Sequence, residues 1–103
     1  MQLVACAIVH DDPPSTFIAD DMDTLHWVIA LHIIASTRAS DVNEPIRSRL
    51  RQALLDERWG DAVELWLEVS PYVIDVYPSY ELYTEGDVAL GAQELQFTPL
   101  FED

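Results

Sequence analysis

Leu25-His26-Trp27-Val28-Ile29-Ala30-Leu31-His32-Ile33-Ile34-Ala35 is the stretch on which the fold of this 103-residue chain turns. Nine of its eleven side chains are apolar, and only His26 and His32 interrupt them. A surface helix keeps roughly half its circumference polar, so a segment apolar nearly all round is expected to form a buried central helix. Crossing a bilayer takes about 20 apolar residues, more than this run contains. Asp20, Asp21, Asp23 and Thr24 stand before it as N-cap candidates and put negative charge at the positive end of the helix dipole. Ser36, Thr37 and Arg38 close it with polar groups.

Outward from that helix, Leu3–Val9 is continuous, rich in β-branched residues and ends at a polar break, the pattern of a strand buried on both faces. His10–Pro14 is a loop, because two successive prolines exclude helix, and Phe17 and Ile18 are expected to tuck it back onto the core. Asn43-Glu44-Pro45 opens a second helix running to about Arg58, with Ile46, Leu50, Ala53 and Leu54 as its buried stripe. A third helix spans Asp61–Val69, carrying Ala62, Leu65, Trp66 and Val69 on one face and Asp61, Glu64 and Glu68 on another. Tyr72–Tyr77 is a second strand framed by prolines, and a turn at Pro78-Ser79 allows Tyr80–Thr84 to return as a short third. Gly86-Asp87 opens a fourth helix to about Gln96, weakened by Gly91, and Phe97–Asp103 is an aromatic, acidic tail expected to fold back onto the domain, with docking on another molecule as the alternative. The expectation is one α+β domain over residues 1–103: a thin sheet of two or three strands on three or four helices around Leu25–Ala35. The direction of strand pairing does not follow from the sequence.

Charge is the extreme property. Nineteen acids stand against five arginines, with no lysine, for a formal net charge of −14. Residues 1–37 and 59–103 hold five and ten acids and no base, and every arginine lies between them. Direct binding to nucleic acid or to an anionic membrane requires the opposite sign and is excluded as the main activity. Half the residues are hydrophobic, including three Trp, four Tyr and three Phe, so the chain is expected to build a real core. The first apolar run lacks a basic leader and is too short for a convincing signal peptide, which points to a cytoplasmic protein.

No motif specifies a chemistry. Cys6, the single cysteine, sits in an apolar strand and is expected to be a small buried hydrophobe rather than a reactive thiol. His26 and His32 are six residues apart, about 120° around a helix, and cannot share a metal ion. The Asp-rich stretches lack the spacing of a calcium loop, and there is no nucleophile elbow or phosphate-cradling glycine loop. Asp23 with His26, and Asp75 in its apolar strand, are the remaining acid–base candidates, for which a helix cap and a half-wet or arginine-paired carboxylate are the simpler readings. No catalytic residue, cofactor or metal is therefore assigned.

Recognition of another protein is the stronger reading. Arg47, Arg51 and Arg58 are expected to match Asp61, Glu64 and Glu68 across consecutive helices. Tyr72, Tyr77, Tyr80 and Tyr83 cluster among Asp75, Glu81, Glu85 and Asp87, a combination suited to a basic protein partner. Asp61, Glu64, Glu68, Tyr77, Tyr80, Glu81, Tyr83 and Asp87 are the candidate partner-binding residues of an adaptor or regulatory subunit. The alternative is an acidic inhibitor whose carboxylates stand in for the phosphates of DNA or RNA on a nucleic-acid-binding protein.

Overall fold

The computed structural model describes residues 1–91 and 93–101. Its sheet has three antiparallel strands in the order β2-β1-β3: β1 is Gln2–His10, β2 is Ser15–Ala19 and β3 is Val73–Leu82. The helices are α1 (Met22–Ser36), α2 (Ile46–Leu55), α3 (Trp59–Val69) and α4 (Glu85–Gly91). Short 3-10 turns cover Leu95–Phe97 and Pro99–Phe101. The architecture is α+β, as the alternation of apolar strand and helix patterns implies.

β1 is central, so its apolar run is covered on both faces from Val4 onward, with Val4, Ala5, Cys6, Ala7 and Val9 buried and Ile8 half-buried, whereas Leu3 is 59 % exposed. Ala5, Ala7 and Val9 face the helices and share one core with Leu25, Ile29 and Ile33 of α1, Leu50 and Ala53 of α2, and Ala62, Val63 and Trp66 of α3. Small residues let these layers approach closely. A Cβ at Gly60, in the first turn of α3, would stand 3.3 Å from His26 Nδ1 on α1.

Four local expectations are corrected. Ser15–Ala19 is a strand, paired with β1 in a hairpin through Ala7↔Phe17 and Ala5↔Ala19. Phe17 and Ala19 pack inward while Ile18 is exposed, an alternation too short to stand out in sequence. Pro78-Ser79 is not a turn. Tyr77 pairs with Cys6 and Tyr80 with Val4, leaving Pro78 and Ser79 opposite Ala5 as a bulge within one continuous strand. A bulge leaves an unpaired position that suits a proline without an N–H, and nine-residue β1 is long enough to receive both halves of β3.

The third correction concerns α1. Asp21 caps it, its carboxylate accepting the Thr24 N–H at 2.7 Å. Leu25, Ile29, Ala30 and Ile33 are buried, yet Trp27, Leu31 and Ile34 are exposed. The helix is apolar all round but covered chiefly on one side, since the sheet and α3 occupy one flank and leave Trp27, Leu31 and Ile34 open on the other.

α2 is shorter than its pattern suggests. It ends at Leu55 because Glu57 adopts φ 57°, with Arg58 N–H donating to Ala53 O (2.9 Å) and Glu57 N–H to Leu54 O (3.2 Å). This is a Schellman ending with a glutamate where glycine is usual.

Candidate interaction surface

The acids of α3 and the tyrosine-bearing group of β3 lie on different elements and do not form one patch. On α3, Asp61, Glu64 and Glu68 line a groove with Arg49, Gln52 and Arg58. Only Arg58–Asp61 closes as an ion pair, at 2.8 Å. Arg47 pairs instead with Glu44 at 2.9 Å, and Arg51 has no carboxylate partner among the described residues. The arginine facing the α3 acids from α2 is therefore Arg49, not the expected Arg47 and Arg51, because the buried Leu50–Ala53 stripe turns Arg51 away from α3. These pairs are exposed, and each contributes little to stability.

On β3, Tyr77 and Tyr80 straddle the bulge with ring centroids 5.5 Å apart, tilted by 50°. Their register partners Cys6 and Val4 place both rings on the sheet face opposite α1. Glu81, opposite Leu3, falls on the other face, and Tyr83 follows just beyond the strand with its hydroxyl donating to Glu81 Oε2 at 3.3 Å. The negative charges of Glu81 and Asp87 hold the Tyr83 phenol above its ordinary pKa.

Asp87 has a structural task. It accepts the Thr84 N–H at 3.0 Å while its own N–H donates to Thr84 Oγ1 at 3.2 Å, a reciprocal capping box for α4. It also meets the Met1 ammonium at 3.1 Å, tying the start of β1 to the start of α4. The Thr84 N–H, foremost, and then the ammonium lower its pKa. α4 therefore starts at Glu85, ahead of the expected Gly86-Asp87, and the Thr84-x-x-Asp87 spacing is the capping signature that marks its start.

Beyond this tie the chain leaves the core. Val88, Leu90, Phe97, Leu100 and Phe101 are all exposed, Leu100 to 87 %. The radius of gyration is 18.7 Å and the longest dimension 63 Å, against about 13 Å expected for the radius of a compact 100-residue domain. Glu85 and Asp87 stand at the root of these apolar side chains and Glu94 among them, so the segment is an apolar arm with an acidic root rather than a wrap over the core.

Of the expected acid–base candidates, Asp23 and His26 form no hydrogen bond to each other among the described residues, and Asp75 takes a histidine rather than an arginine as its partner. Asp75 is half-exposed and pairs with His10, Nε2 to Oδ2 2.7 Å, across the end of the sheet. A cleft of about 640 Å³ between the end of β1, the C-terminus of α1 and α3 contains His32 and Ser36. The Ser36 hydroxyl donates to the His32 carbonyl at 2.6 Å, while the His32 ring packs against Phe17 and Trp66. The same hydroxyl lies 3.4 Å from His32 Nε2, a longer contact than the one it makes to backbone. Burial pushes the Cys6 thiol pKa up. Among the described residues no group of three His, Cys, Asp or Glu side chains converges on a metal-sized site, and no helix is long and apolar enough to cross a membrane. No protein-family model, curated protein or solved structure matches this chain.

Proposed function

We propose that the chain is a protein-interaction module that docks on a partner carrying an apolar groove with a basic rim. The exposed Val88, Leu90, Phe97, Leu100 and Phe101 of the arm carry this reading. A soluble domain rarely leaves several large apolar residues of one segment in water unless a partner covers them. Glu94 in the arm, with Glu81 and Glu85 at its root, steers encounter with a basic rim, and apolar anchors supply the affinity. Tyr83, Glu81 and Asp87, at the root of the arm, extend the same surface.

The test is a capture experiment from the native host with nuclease treatment and elution in salt steps. It compares the natural chain with a Leu90→Asp/Phe97→Asp/Leu100→Asp variant whose circular dichroism is unchanged. A specific protein retained above about 0.5 M salt by the natural chain and lost by the variant supports docking through the arm, since screening at that salt leaves apolar anchoring in place. Equal retention by both would refute it. Release at about 0.2 M salt, with competition by duplex DNA, would favour the phosphate-mimic reading instead. The absence of any base after Arg58 is the observation behind that second reading.

A further inference from the structure

We infer that the open face of α1 pairs with α1 of a second copy of this chain, antiparallel about a two-fold axis passing near Leu31. Trp27, Leu31 and Ile34, at i, i+4 and i+7, form one stripe and are 46, 44 and 55 % exposed. Such a seam is what two packed helices bury between them.

Charge identifies the occupant. At the start of the stripe Asp20 and Asp23 have no side-chain partner among the described residues, whereas Asp21 is engaged in capping. At its end, Arg38 and Arg51 flank Ile34 along one groove, and neither forms an ion pair among the described residues. In a chain of net −14, unpaired guanidiniums beside an uncovered apolar stripe call for an acidic partner. The other end of the same stripe is that partner. A two-fold interface brings residue i against j and j against i. With Leu31 on the axis, Trp27 faces Ala35 and Ile34 faces Val28, and Arg38, on extended backbone just past the C-cap Thr37, comes to the first helical turn of the second copy, where Asp23 lies. A parallel pairing would instead stack Arg38 on Arg38 and Asp23 on Asp23. The exposed ion pairs select direction, and the apolar stripe supplies most of the affinity.

Analytical ultracentrifugation of the full chain over a concentration series tests this. The expected species is a dimer of twice the 11.7 kDa chain mass. Leu31→Glu, which sets two carboxylates together at the axis of an already exposed position, should weaken dimerisation by about 30-fold or more, the scale of an interface hot spot, with unchanged circular dichroism. Arg38→Glu and Asp23→Arg should each weaken it, and the double variant should recover it. That recovery is specific to antiparallel pairing. A natural chain monomeric at about 100 μM, weaker than this class of interface allows, would overturn the inference. So would dimerisation insensitive to Leu31→Glu, or a double variant no better than the singles. Dimerisation abolished by the arm variant Leu90→Asp/Phe97→Asp/Leu100→Asp would make the arm the occupant and overturn it too. Loss of partner capture by that arm variant with the dimer intact bears only on the docking function.

Discussion

Replacing Ile29 by alanine should be among the most damaging single truncations in α1. Ile29 is 1 % exposed and belongs to the core formed by β1, α1, α2 and α3. Three carbons are removed, and at about 0.8 kcal/mol for each buried methylene the transfer loss is about 2.4 kcal/mol. Around it the core is built partly from Ala5, Ala7, Ala53 and Ala62, whose short side chains cannot swing into the void. A cavity contribution therefore adds, and the expected cost is about 3 kcal/mol, inside the range of about 2–5 kcal/mol for such truncations. For a domain of this size that corresponds to a fall in Tm of about 12–24 °C. Urea unfolding followed by far-ultraviolet circular dichroism, at one fixed protein concentration, measures it as a lower midpoint with an unchanged slope. Leu55→Ala is the control: Leu55 is 77 % exposed at the end of α2, and its truncation should cost about 0.5 kcal/mol or less. A loss below about 1 kcal/mol for Ile29→Ala, or equal losses at both sites, would refute the assignment of the buried side of α1.

Three further outcomes are expected. Cys6, buried in the central strand with its thiol pKa raised, should react with a disulfide reagent at least about 1,000-fold more slowly in native buffer than in concentrated urea, because exposing β1 needs near-global opening; a ratio under about tenfold would show β1 accessible. Glu57→Gly should stabilise the protein by up to about 1 kcal/mol, read as a higher urea midpoint, since it relieves a left-handed backbone at the end of α2; a lower midpoint would contradict that ending. Asp21 is held below its ordinary pKa of 3.8, chiefly by the Thr24 N–H, so its cap is fully effective above that value and fades as pH falls through the folded-state pKa. Asp21→Asn keeps an acceptor that does not titrate, so the stability gap between natural chain and variant should narrow from pH 7 to about pH 3; a constant gap would show that the carboxylate charge does not support α1.

Sequence by itself determined the elements whose signals are local and complete. Leu3–Val9 announced a central strand because no polar residue interrupts it, and from Val4 onward that strand is covered on both faces. Leu25–Ala35 announced a helix, and Asp21 was among its foreseen caps. The helical stripes of α2 and α3 and the buried Cys6 were legible for the same reason: spacing and composition act within a few residues. Tertiary structure decided the rest. Whether Pro78-Ser79 was a turn or a bulge depended on β1 being long enough to pair with both flanks. Five residues from Ser15 became a strand only because an edge of β1 was available. Which arginine faced Glu64 and Glu68 depended on the rotation of α2 against α3. Most consequential is α1, whose sequence shows no preferred side: only the placement of the sheet and α3 on one flank left Trp27, Leu31 and Ile34 in water. Apolar periodicity records that a side chain prefers burial; it carries no information on whether the same chain or another molecule provides the cover.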